Sequence, residues 1–127
     1  MIVLDAAAII ALLNPHDLHH AETIRLLRET EAEPRTASPI NLAEAMVGPT
    51  RIQQTHAAVA AITAWRIGET PLPDDAALRL ASLRASTARR MPDCCALLAA
   101  QQTGGILLTF DSDLARSAPK VGVSVLG

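Results

Sequence analysis

The sequence predicts an α/β fold built on a largely parallel sheet, and three observations carry that reading. Ile2-Val3-Leu4 and Ile106-Leu107-Leu108-Thr109 are short, almost wholly apolar runs, the pattern of strands covered on both faces. Between them the apolar residues recur at helical spacing, so strands alternate with longer helices. The chain is also 50% hydrophobic but only 2% aromatic over 127 residues, a composition suited to thin, closely packed layers. That length fits one domain, residues 1–127, burying roughly two-thirds of its unfolded surface.

The elements follow in order. Ile2 to Leu4 is a buried strand, and Ala6 to Leu13 a helix stopped by Asn14-Pro15. Asp17 is the expected N-cap of a second helix reaching about Glu31, in which Leu18, Ala21, Ile24 and Leu27 recur at helical spacing. Arg35 to Ala37 is a short strand. Ser38-Pro39 starts a helix, with Ser as cap and Pro at the first helical position, running through Leu42, Glu44 and Met46 to Gly48-Pro49. A helix from Arg51 to Trp65, a strand from Ile67 to Leu72 and a helix from Pro73-Asp74-Asp75 to Arg89 come next. Pro92-Asp93 opens another helix, closed by the C-cap pair Gly104-Gly105. After the strand at 106–109, Asp111 to Arg116 is a turn or short helix, and Val121 to Leu126 alternates like an edge strand.

Composition excludes several function classes. A net charge of −2 leaves no general positive surface for gripping nucleic acid, so any such function must be local. One Phe, one Trp and no Tyr argue against domains that stack bases on aromatic platforms. Cys94 and Cys95 are adjacent, so neither an ordinary disulfide nor a CxxC site is available, which fits a reducing compartment and a cytoplasmic protein. The run from Ala6 to Leu13 is too short to span a bilayer, so no membrane role is expected.

The acidic residues carry the functional reading. Asp5 and Asp111 follow the C-terminal ends of the two apolar strands, where ligands gather in open parallel sheets. Glu44 interrupts the apolar stretch Leu42-Ala43-Glu44-Ala45-Met46, and Asp93 lies in a first helical turn. Taken singly each has an ordinary explanation: Asp5 and Asp111 as caps, Asp93 as a partner of the helix dipole, Glu44 as a residue facing water. Together, four carboxylates flanked by apolar segments call for a cation, and oxygen ligands suit Mg²⁺ or Mn²⁺.

These pieces resemble the PIN-domain family, and within it the VapC toxins of bacterial type II toxin–antitoxin pairs. The resemblance rests on Met1-Ile2-Val3-Leu4-Asp5, Asn41-Leu42-Ala43-Glu44, Pro92-Asp93 and Ile106 through Leu114, in the family's order and over essentially the whole chain. His19-His20-Ala21-Glu22 is similar to the opening of the family's second helix. The resemblance implies a three-layer α/β/α PIN-like fold with a mostly parallel sheet of four to five strands. It implies an acidic pocket of Asp5, Glu44, Asp93 and Asp111 that binds Mg²⁺ or Mn²⁺, with Asp113 as an auxiliary ligand and Thr109 in support. The implied activity is metal-dependent endonucleolytic cleavage of RNA, tRNA or rRNA being the expected substrates. A VapB-like antitoxin and a homodimer, assembled into a heterotetramer or larger complex, are the implied partners. The chain departs from the family in one respect: Ala6-Ala7-Ala8 stand where hydroxyl residues commonly follow the first aspartate. That departure supports the alternative of a PIN-like module that binds RNA or protein and cuts weakly or not at all.

Other patterns are less productive. His16, His19 and His20 have spacing for one helix face, but a solvated face is the expected role. Arg79, Arg84, Arg89 and Arg90 form a basic stretch that either contacts RNA phosphate or is an ordinary helix surface. The cysteines are expected to fill space. No GxGxxG, phosphate loop or GxSxG is present. A receiver-like domain lacks its late-strand lysine, Lys120 being the only lysine, and a phosphatase-like one lacks a second aspartate at Ala7.

Overall fold

The computed structural model describes residues 1–127. Its strands are β1 (Ile2–Leu4), β2 (Arg35–Ala37), β3 (Ile67–Glu69), β4 (Ile106–Leu108) and β5 (Ser124–Leu126). Its helices are α1 (Ala6–Leu13), α2 (His20–Glu29), α3 (Pro39–Arg51), α4 (Thr55–Ala64), α5 (Ala76–Thr87), α6 (Met91–Thr103) and α7 (Ser112–Ser117), the last followed by a 3₁₀ turn at Ala118–Val121. The strands form one sheet in the order β3-β2-β1-β4-β5, and every pairing is parallel. The three-layer α/β/α expectation is met with five strands.

Strand pleating sorts the core. Ile2 and Leu4 turn to one face, where they meet Ile9 of α1, Leu27 of α2, Leu42 of α3 and Ile62 of α4. Val3 turns to the other, with Leu107, Leu83 of α5, Leu97 of α6 and Leu114 of α7. Helices α1 to α4 therefore cover one face and α5 to α7 the other. Helix α6 is buried without interruption from Cys94 to Ala100, and both thiols are free, as small apolar fillers should be. Arg35 can open an inner strand because its guanidinium donates to the carbonyls of Trp65 (2.7 Å) and Leu27 (2.5 Å).

Several boundaries differ from the sequence expectation. Asp17 does not cap α2; its carboxylate accepts the His19 amide in a local turn, and the helix begins at His20. Helix α3 runs through Gly48-Pro49 to Arg51. Pro49 forfeits one backbone bond only a turn before the helix ends, where the loss matters least. Gln53 then takes a left-handed φ of 59°, so α4 starts at Thr55 rather than Arg51. Strand β3 ends at Glu69, before the prolines at 71 and 73. Helix α5 begins at Ala76 and stops at Thr87, since Ala88 is left-handed at φ 56°. The edge strand at the C-terminus is confined to Ser124–Leu126.

The histidines are a further correction. His20 Nδ1 donates to the Ala11 carbonyl (2.7 Å), and the His19 ring stacks on Phe110 with centroids 4.3 Å apart. Of the three only His16 is exposed, so they do not form a solvated face.

Candidate active site

From β1 the chain steps outward to β2 and β3, then returns to lay β4 on the other side of β1. The carboxyl ends of β1 and β4 are thus the sheet's topological switch point, where flanking connections diverge and leave a crevice. The register pairs Leu4 with Leu108, so the next residues, Asp5 and Thr109, emerge side by side. The Thr109 hydroxyl donates to Asp5 Oδ2 at 2.5 Å, across 104 residues of sequence. Asp5 Oδ1 accepts the Ala8 amide (2.8 Å) and caps α1. Both side chains are buried.

The same hydroxyl accepts the Asp111 amide (3.1 Å), tying the second acid to the first. Asp111 caps α7, its Oδ1 accepting from Asp113 N (2.8 Å) and Leu114 N (3.1 Å). Asp93 enters from the first turn of α6, half-buried, at the positive end of that helix. Burial pushes the Asp5 carboxyl above the ordinary carboxylate range, opposed by the bonds from Thr109 and Ala8 and reinforced by the charges of Asp93 and Asp111. Burial also raises Asp93, with Asp111 adding to the shift and Arg90 and Arg89 opposing it. Asp5, Asp93 and Asp111 therefore share one electrostatic neighbourhood.

Glu44 and Asp113 stand apart from this trio. Asp113 is exposed and bonded to Arg116. Glu44 is exposed on α3, at the rim of a groove lined by Ile10, Leu13, Ala45, Ile52 and Ala58. Its charge reaches the Cys95 thiol, two residues beyond Asp93, helping burial to raise that thiol. No three acidic, histidine or cysteine side chains approach closely enough to form a ready-made metal cage. The donor set nonetheless fits a hard cation. It is oxygen-only, the charges of Asp93 and Asp111 raise the Asp5 carboxyl and that of Asp111 raises Asp93, and Mg²⁺ commonly takes one or two carboxylates and retains waters.

The sequence profile of the PIN domain matches residues 2–119. The chain belongs to the PIN-domain family. It is 33% identical to "Ribonuclease VapC39" of Mycobacterium tuberculosis, an alignment covering 98% of each chain. The PIN fold recurs in the crystal structure of VapC20 from Mycobacterium tuberculosis, described as a Sarcin-Ricin loop cleaving toxin: TM-score 0.70, 19% identity, 99% of this chain and 98% of that one. It recurs again in FitAcB from Neisseria gonorrhoeae, with a TM-score of 0.74, 20% identity and coverage of 100% and 97%. The resemblance read from the sequence is borne out.

Two residues of this PIN domain gain roles that their sequence positions did not reveal. Asn41, fully buried on α3, donates from Nδ2 to the Pro92 carbonyl (3.0 Å), immediately before Asp93. It lies one helical turn before Glu44, so it fixes the stretch of α3 that carries Glu44 against the start of α6. Its signal was an amide on an otherwise apolar helix face. Arg89 is the second. Of the expected basic stretch, Arg84 is occupied by the carbonyls of Ala88 and Arg89, whereas Arg89 reaches towards the acids.

Proposed function

We propose that the protein is a Mg²⁺- or Mn²⁺-dependent endoribonuclease, the toxin of a VapBC-type toxin–antitoxin pair, acting in the cytoplasm. The observation that carries this reading is the meeting of Asp5, Asp93 and Asp111 at the switch point of a PIN fold. The ribonuclease name of the 33%-identical relative supports the substrate class. Asp5, Glu44, Asp93 and Asp111 would hold the ion, with Asp113 as an outer contributor. When bound, the ion supplies charge neutralisation at phosphoryl oxygens and acidifies an attacking water.

The chain's own residues do the rest. Thr109 and the Ala8 amide hold the Asp5 carboxylate in one rotamer, leaving its remaining lone pairs to the crevice. Glu44 and Asp93 are the groups assigned to position water for in-line attack on phosphorus. The reading of a binding module without cleavage rests on Ala6 and Ala7, which bring no hydroxyl to Asp5; Thr109 brings one from the end of β4 instead. tRNA and rRNA are the substrates we favour.

The groove between α1, α3 and α4 is assigned to an apolar segment of a VapB-like antitoxin. The similar solved structure of a toxin–antitoxin complex from Klebsiella pneumoniae supports a partner of that kind. We further assign the chain a homodimer, paired through its alanine-rich helices. Purified protein with Mn²⁺ should cleave RNA, and Asp5→Asn or Asp93→Asn should lower the rate by at least about a hundredfold. Cleavage by both variants at the wild-type rate would remove the acids from the mechanism.

A further inference from the structure

Arg89 sits between α5 and α6 with its backbone fixed on every side. Its amide donates to Thr87 Oγ1 (3.2 Å), and its carbonyl accepts from Arg84 Nη1 (2.6 Å) and Cys94 Sγ (3.4 Å). The left-handed Ala88 before it turns the chain out of α5, so the Arg89 side chain crosses to the start of α7. There Nη1 lies 4.0 Å from Asp111 Oδ1 and 3.8 Å from Asp113 Oδ2, beyond hydrogen-bond length from either. The side chain is only 23% exposed, unlike the surface arginines Arg25 and Arg116 at 52% and 68%. A half-buried guanidinium thus faces two carboxylates and is close enough to a third, Asp93, to favour its charged form. A through-space pair of this kind is easily exchanged, because no short directional bond has to break.

We propose that Arg89 is an internal counter-ion of the acidic site, holding Asp111 and Asp113 in the metal-free protein and competing with the divalent cation for them. The inference rests on the metal-dependent reading above and adds a residue that sets how tightly the metal is held. Removing the guanidinium removes a positive charge that the incoming cation must displace. Manganese binding therefore tightens in Arg89→Gln, and the metal-free protein becomes less stable.

The test is a titration of purified protein with Mn²⁺, followed by the loss of the free-ion paramagnetic resonance signal, together with melting of the metal-free protein. Arg89→Gln should bind Mn²⁺ about three- to fivefold more tightly than wild type. Arg89→Lys, which keeps the charge, should restore most of the wild-type affinity. Arg116→Gln removes an equal charge that contacts Asp113 but not Asp111, and should shift affinity less. Equal or weaker Mn²⁺ binding by a folded Arg89→Gln overturns the counter-ion role while leaving the metal site standing. Absence of Mn²⁺ binding by wild type overturns the metal reading itself and this inference with it.

Discussion

Asp5 is a carboxylate buried among apolar strands, and a buried charge persists only when its lone pairs are occupied. Two donors meet that need, the Ala8 amide and the Thr109 hydroxyl. The hydroxyl also accepts from the Asp111 amide, so one oxygen organises two of the acids. Thr109→Val keeps the shape but loses both bonds and leaves Asp5 short of a donor. It should destabilise the protein by about 1–3 kcal/mol in urea unfolding at neutral pH, whereas Thr109→Ser should retain most of that stability. Equal loss in both variants would mean that the methyl group, not the hydroxyl, matters. At this scale the sequence was informative about types and silent about partners. The positions of Asp5, Asp93 and Asp111 after strands or in a first helical turn were legible. The Thr109 bond required the register of β1 against β4, which no local pattern encodes.

At the scale of elements, legibility followed burial. Strands β1 and β4 were plain because all but Ile106 of their residues are buried and both are wholly apolar. Two boundaries failed because a residue other than glycine adopts a left-handed backbone. Gln53 delays α4 and Ala88 shortens α5, and neither residue type advertises that conformation. The second case hides the role of Arg89, which a longer helix would have left on an ordinary surface. Gly104 did announce itself, ending α6 at φ 65°. Gly105 has a different duty. A Cβ there would lie 2.9 Å from Val3 Cγ2 and 3.0 Å from the Met1 carbonyl, so the turn into β4 must press against β1. Gly105→Ala should therefore cost about 1–3 kcal/mol of unfolding free energy, since Val3 is fully buried and cannot move aside. A variant as stable as wild type in urea would show that this contact yields.

Across the whole molecule, the parallel order β3-β2-β1-β4-β5 separates α1 to α4 from α5 to α7 and puts the topological switch point at the carboxyl ends of β1 and β4. Acids from the starts of α1, α6 and α7 converge there because each of these helices begins at that edge. Glu44 shows the limit of sequence reasoning: Leu42 and Ala45 beside it are buried, while its own side chain is exposed at the rim of a groove, the water-facing reading that the sequence had left open. The convergence has a pH signature. Asp5 and Asp93 hold protons more tightly folded than unfolded, so the stability they contribute is complete below the ordinary carboxyl value of 3.8. It is lost as pH rises through their raised folded values. A divalent cation offsets that loss only when the carboxylates are charged. Saturating Mg²⁺ should accordingly raise the melting temperature near neutral pH and have little effect at about pH 4. An equal effect at both pH values would show that Mg²⁺ acts elsewhere.

No helix is long and apolar enough to cross a membrane. The decisive measurement is made on crystals of the purified protein. That measurement is anomalous X-ray scattering from a crystal soaked in Mn²⁺. The assigned metal site requires a manganese peak in the crevice bounded by Asp5, Asp93 and Asp111. Manganese bound only at other surfaces, with this crevice empty at saturating concentration, would contradict it.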